Sequence, residues 1–396
     1  MSSAENVDIL ILNTAVLDIR SSAFDFVDRL VGPGGLAKCD TADMPDYSQG
    51  QLCQLIREGR ATAGGPGNTA PLLAKTGLEV AVGANLGGGD YGGLDVQGRM
   101  FYDILADSGV DLSPVKVHPT LPTGTTFIYD AVAKDRGGIA YFPNANNDFD
   151  FADFKPYVER VKPDVVYYMY SGLSDRGDAN GGRDLAEFIR WCRELGCITI
   201  VDSHTLVADP RASIESGAPV EAYHLLEPLL PELDIFFTSG DEAKMIVNTL
   251  EGPRKWSEFN EEDNLKYFLQ FLVNNFTRHR DHARLFGVTR SKGAMACYIR
   301  QDDSVLGPEM FYSDFMDLKV VDLVGAGDSF RAGMLSYVAR HAEAFKAGEI
   351  NVEEAIQMGN LTASLYINAP LEDRYSKIKS FEKMLAKLQG KEGLDD

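Results

Sequence analysis

The sequence has no Cys-x-x-Cys pair, no even set of cysteines and no long apolar run, and each absence removes a class of protein. Cys39, Cys53, Cys192, Cys197 and Cys297 form an odd, scattered set, which argues against a disulfide framework or a structural zinc site. No stretch approaches the ~18–20 apolar residues of a membrane span. Positive charge is also scarce, since 38 Lys and Arg face 59 Asp and Glu, a formal net charge of -21. Such a field repels polyphosphate backbones and argues against nucleic acid as the main partner. An anionic ligand must then be met by local devices: backbone amides, a helix N-terminus or a metal ion. The expectation is a cytoplasmic chain with neither a nucleic-acid nor a membrane partner.

What is present is a rhythm. Hydrophobic residues make up 44% of 396, enough for a large core. Val7–Leu12, Leu78–Ala84, Asp164–Tyr170, Cys197–Asp202, Asp234–Thr238 and Leu285–Thr289 are short apolar, β-branched runs that read as strands. Helical patterns at Thr69–Thr76, Gly92–Ser108, Arg183–Glu194, Glu261–Asn274 and about 328–344, 352–367 and 376–389 lie between and after them. Such alternation specifies an α/β fold with a parallel sheet between helical layers. Residues 113–142 break the rhythm with several short strands, and 204–232 and 250–282 read as surface insertions. No linker divides the chain, so one domain spans 1–396, with a small β-rich appendage built from about 14–60 and 113–143.

The segment Asp322-Leu323-Val324-Gly325-Ala326-Gly327-Asp328-Ser329-Phe330-Arg331-Ala332-Gly333 joins an apolar run to an amphipathic helix. Three small residues let successive N–H groups converge on one spot, and a helix N-terminus adds its positive dipole end. That is an anion hole. Asp328 is then either a helix cap or a base facing the bound anion. Phe330 stands where a dinucleotide fingerprint needs its third glycine, which argues against a Rossmann enzyme. A second cluster, Ala63-Gly64-Gly65-Pro66-Gly67-Asn68-Thr69-Ala70, precedes a helix, and Asn68 can donate to and accept from a polyol.

Together, Asp322–Gly333 and Gly64–Gly92 resemble the paired signatures of the PfkB, or ribokinase-like, carbohydrate kinase family. The resemblance implies a three-layer α/β/α sandwich with a mainly parallel central sheet and a small β-rich lid. It implies transfer of the γ-phosphate of ATP to a sugar or nucleoside hydroxyl, with Asp328 as general base and Gly325, Ala326 and Gly327 as anion hole. Asp18, Gly64, Gly65 and Asn68 match the acceptor-binding positions. Thr289, Gly293 and Asn360 resemble the nucleotide side, and Glu242 the residue tied to the Mg²⁺ water shell. The family also implies K⁺ beside the anion hole and a homodimer through the lid.

Three positions depart from the family pattern. Ser239 replaces Asn in the N-x-x-E motif, Leu323 replaces Thr, and the Thr289–Gly293 segment is one residue short. These touch nucleotide, Mg²⁺ or K⁺ handling, so the alternative is a catalytically degenerate chain that binds a sugar or nucleoside as sensor or scaffold. The long tract Ser21–Gln54 favours a larger or less polar acceptor. Arg136, in a turn-like Asp-Arg-Gly-Gly, is either a lid residue or a hairpin residue. His279 and His282 read as polar loop, and His204 as a strand-end residue near the cleft or a structural one.

Overall fold

The computed structural model describes residues 6–391 except 23, 46, 130–136, 278–280 and 316–319; Arg136 and His279 therefore lie outside the described residues. An eight-stranded sheet forms the centre. Its strands run in the order Val305–Tyr312, Gly293–Ile299, Arg284–Arg290, Ile235–Ser239, Ile198–Ser203, Val165–Ser171, Ile9–Leu12 and Val80–Gly83. The six from Arg284–Arg290 to Val80–Gly83 are parallel, and the other two add an antiparallel edge.

Side-chain alternation explains the two cores. Ile9 and Ile11 join one apolar cluster while Leu10 and Leu12 join the other. A strand buried on both faces must read as an unbroken apolar run, as this one does. Helices cover both sides. On Arg183–Glu194, Leu185, Phe188, Ile189 and Cys192 recur at helical spacing and are buried together. On the opposite face Ala326–Arg340 crosses Val352–Ile367 closely, since a Cβ on Gly333 would lie 2.4 Å from the Met358 carbonyl oxygen. That crossing anchors the helix carrying Asp328.

A second, five-stranded sheet has the order Leu36–Lys38, Ile139–Phe142, Gly124–Tyr129, Val16–Ser21 and Ala61–Gly64. The tracts 14–60 and 113–143 supply four of these strands, while Ala61–Gly64 lies just beyond. Period-two alternation again assigns faces. Leu17, Ile19 and Phe127 pack outward with Phe24, Val27 and Leu52, so Val16, Asp18 and Thr126 turn toward the central sheet.

One expectation fails, and two strands went unread. Segments 204–232 and 250–282 are not surface additions, because Tyr223, Leu226, Leu229, Leu230, Phe268 and Leu269 are almost wholly buried in one of the cores. The strands Gly293–Ile299 and Val305–Tyr312 have no counterpart in the sequence reading. The latter is mostly exposed, so burial did not print an apolar pattern on it. Among the described residues, no helix is long and apolar enough to cross a membrane.

Candidate functional site

A cavity of about 260 Å³ lies at the carboxyl ends of the parallel strands, where open α/β sheets place ligands. The second sheet covers it. Tyr170, Asp202, Ser239 and Thr289 reach it from strand ends, and Gly325–Asp328 reach it from the start of the helix Ala326–Arg340.

Gly325 caps that helix with φ of +85°, a left-handed conformation that glycine adopts without steric cost. A Cβ there would lie 2.8 Å from the Tyr366 hydroxyl and 3.0 Å from Asn68 Cγ. Asp328 is the third helical residue and makes no cap. Its carboxylate instead accepts Asn68 Nδ2–H at 3.0 Å and the Tyr170 hydroxyl at 3.0 Å. Tyr366 completes the chain by donating to Asn68 Oδ1 at 2.6 Å, which fixes the Asn68 amide with its NH₂ toward Asp328. Burial, and then the Asp328 charge, hold the Tyr170 phenol well above its usual range. It therefore remains a proton donor to the carboxylate.

The opening turn of a helix leaves amides without intrahelical acceptors. Of the three amides that the sequence nominates, Ala326 N–H donates to the Leu323 carbonyl at 3.1 Å. Those of Gly325 and Gly327 have no acceptor among the described residues.

Asp18 faces the same cavity and accepts a hydrogen bond from the Thr126 hydroxyl. Burial raises its pKa above 3.8, against the opposing pull of Arg20 and Thr126. Gly64 makes room for it, since a Cβ there would sit 2.4 Å from Asp18 Oδ2. Gly65 and Asn68 also line the cavity. Asp18, Gly65, Asn68 and Gly325–Asp328 thus converge, though they come from three separate parts of the chain.

Glu242 lies across the cavity, 7% exposed. Ser239 is the helix cap, and it forms a reciprocal capping box with Glu242. Glu242 Oε2 accepts from Ser239 N–H at 2.9 Å and the Thr238 hydroxyl at 2.7 Å, and Oε1 from the Thr205 hydroxyl at 2.8 Å. Burial alone would raise its pKa, but His204, these donors and Arg331 outweigh it and hold the carboxyl below its ordinary value. No group of three or more metal-ligating side chains occurs among the described residues. The donor set fits a hydrated Mg²⁺ reaching Glu242 through water, the mode this ion favours when phosphates supply its inner oxygens.

A second cavity of about 390 Å³ holds Thr289, Gly293 and Asn360, the three nucleotide-side candidates. Thr289, Leu323, Ala326 and Gly327 line both cavities. The loop Leu323–Gly327 is thus a shared wall.

Sequence reasoning missed Tyr170, Tyr366, Asp202 and Arg331. Buried Arg331 donates to Asp202 Oδ1 at 2.6 Å and to the Phe237 carbonyl at 2.8 Å, and Tyr167 donates to Asp202 Oδ2 at 3.3 Å. Arg331 stood three residues after Asp328, hence on the same helix face, a spacing that could have flagged it. Tyr170 and Asp202 end strands, the positional signal that singled out His204. His204 lines the cavity with its ring edge-on to Tyr170, centroids 5.0 Å apart.

Residues 38–372 match a family model described as pfkB family carbohydrate kinase. No curated protein sequence matches. Among solved structures, adenosine kinase from Anopheles gambiae superposes with a TM-score of 0.65 at 17% identity, covering 96% of this chain and 100% of that one. A probable sugar kinase from Rhizobium etli gives 0.63 at 17%, covering 98% and 100%. Adenosine kinase from Schistosoma mansoni gives 0.63 at 15%, covering 92% and 96%. At these identities the likeness is one of fold, and the fold is the ribokinase-like α/β sandwich.

Proposed function

The chain belongs to the pfkB family of carbohydrate kinases, and from that membership we propose that it transfers the γ-phosphate of ATP to a hydroxyl of a sugar or nucleoside held in the smaller cavity. One observation carries the reading. A single loop, Leu323–Gly327, separates two cavities, and the Asp328 carboxylate stands in the smaller one with two donors holding its orientation. A phosphoryl donor in the larger cavity and an acceptor in the smaller would meet at that loop.

The geometry supports a division of labour. Asp18 and Thr126 bind acceptor hydroxyls, and Asn68 and Tyr170 leave Asp328 free to rotate very little, so its remaining lone pairs face the acceptor. Asp328 takes the proton of the attacking hydroxyl. The Gly325 and Gly327 amides stabilise charge on the moving phosphoryl group, where fixed dipoles act without reorganising. Glu242 would hold, through water, a Mg²⁺ that arrives with the nucleotide, and that ion would supply neutralising charge to the phosphates. The five-stranded sheet serves as lid and excludes water.

Val16, Leu36, Ile128, Ile139 and Leu173 form an apolar flank of the acceptor cavity. The acceptor therefore presents hydroxyls on one edge and an apolar face on the other, which a nucleoside does better than a hexose. Phosphate transfer across a panel of sugars and nucleosides tests this reading. Ester formation with at least one of them is expected, whereas ligand-induced thermal stabilisation with no transfer to any would favour the sensor.

Two outcomes belong to Asp18. Asp18→Asn removes a charged partner of the acceptor hydroxyl, a bond worth about 1.5–3 kcal/mol, so the acceptor KM should rise ~10–100-fold with a smaller change in kcat. A variant that changes kcat alone would remove Asp18 from acceptor binding. Since Asp18 binds a hydroxyl best as carboxylate and its pKa is raised by burial, kcat/KM for the acceptor should fall with acid through a limb lying above pH 3.8. Asp18→Asn should abolish that limb while leaving any Glu242-dependent nucleotide binding unchanged, and a pH profile of both proteins checks it.

A further inference from the structure

The loop that offers amides to a phosphoryl group necessarily turns carbonyls the other way, and in this chain that reverse side is occupied. Arg374, 3% exposed, donates through Nη2 to the Val324 carbonyl at 2.6 Å and to Asp322 Oδ2 at 3.2 Å. Arg20, 5% exposed, donates through Nη1 to the Thr62 hydroxyl at 2.7 Å, and its Nη2 lies 3.2 Å from the same Asp322 oxygen without a well-aligned hydrogen bond. Asp322 Oδ1 accepts the Val324 amide at 3.0 Å, so this carboxylate is itself part of the loop. The Arg374 guanidinium also lies 4.4 Å from the centroid of the Tyr366 ring, whose hydroxyl orients Asn68 against Asp328.

The family resemblance implies a K⁺ beside this loop, and the residues present do not fit one. The Asp322 carboxylate and the Val324 carbonyl, the oxygens that a small cation on this side would take, are bonded to a guanidinium with a second guanidinium alongside. A further cation would face two fixed positive charges. Each of these guanidinium groups is buried, and such charges persist only where partners surround them.

We propose that Arg374, backed by Arg20, is the built-in counter-cation of the phosphate-facing loop, a positioning residue that takes the place of a monovalent metal ion. A planar fork on a permanently charged group fixes a carbonyl and a carboxylate in one geometry, as a spherical ion does through coordination. The chain then holds its loop in shape without K⁺. The consequence for turnover rests on the kinase reading above; the consequence for loop order does not.

MgADP affinity by calorimetry and turnover on the best acceptor are to be measured in KCl and in tetramethylammonium chloride at equal ionic strength. The expected wild-type values agree within about 2-fold, since no cation linkage exists, whereas a fall of ~10-fold or more on removing K⁺ would overturn the proposal. Arg374→Ala should lose ~10-fold or more in affinity or turnover in tetramethylammonium and regain part of it with added guanidinium or K⁺, as a vacated cation site requires. A folded Arg374→Ala protein with wild-type behaviour in both salts would also overturn it. If that variant does not fold, Arg374→Lys and the wild-type salt comparison still decide. Cation-independent MgADP binding without transfer to any acceptor would count against the kinase reading while supporting the assignment of Arg374, and transfer that requires K⁺ would do the reverse.

Discussion

Asp328→Asn should lower turnover ~10²–10⁴-fold, the range for loss of a general base, while the melting temperature and nucleotide affinity change little. The small structural cost follows from the hydrogen bonds. An amide in place of the carboxylate can keep its oxygen toward Asn68 Nδ2 and turn its NH₂ toward Tyr170, whose hydroxyl can accept as well as donate. The network therefore survives with one bond reversed, and what disappears is the proton acceptor. The readout is steady-state kcat with melting followed in parallel. Near-wild-type kcat in a normally melting variant would remove Asp328 from the chemistry.

Gly325→Ala should be nearly as damaging by another route. At φ of +85° a non-glycine residue costs roughly 1–2 kcal/mol, and the new methyl group would press on the Tyr366 hydroxyl and Asn68 Cγ. Relief of that contact displaces the Tyr366–Asn68 pair that orients Asp328, and it moves the Gly325 and Gly327 amides. Loss of one donor of this kind costs ~10²–10³-fold in kcat, so turnover should drop by at least that much, beyond what the lost stability explains. Kinetics at a temperature well below the melting transition separate the two effects. A variant that is destabilised yet turns over at the normal rate would mean that these amides do not meet the transferred group.

The contrast between what the sequence disclosed and what it concealed follows from sequence separation. The strand Ile9–Leu12 and the helix Arg183–Glu194 were readable because burial on two faces, or on one stripe, prints a local pattern. The glycine segment ending in Asp328 was readable because a turn that packs small residues before a helix must be contiguous. The partners of Asp328 were not. Tyr170 lies 158 positions away, and the Tyr366–Asn68 bond closes over 298. Nothing local to either tyrosine records the pairing, which exists only once the helix Val352–Ile367 and the strand Val165–Ser171 pack around the loop.

Buried charge was hidden for a similar reason. The net charge of -21 gave no hint that Arg20, Arg331 and Arg374 are each buried, with Arg374 bonded to the Val324 carbonyl of the Leu323–Gly327 loop. Arg374 sits in a short polar stretch after the last long helix, where an arginine reads as solvated surface. Ser239, noted as a departure from the family's Asn, turned out to be the helix cap that holds Glu242. The residue type changed and the carboxylate is still anchored.

Transfer of radiolabelled γ-phosphate from ATP to sugars and nucleosides, run on the wild-type protein beside Asp328→Asn, bears most directly on whether the two cavities flanking Leu323–Gly327 make a phosphoryl-transfer site. Labelled phosphate ester is expected from the wild type and ~10²-fold less or lower from the variant. Equal labelling by both proteins, or none from a wild-type protein that binds MgATP and acceptor together, would contradict it.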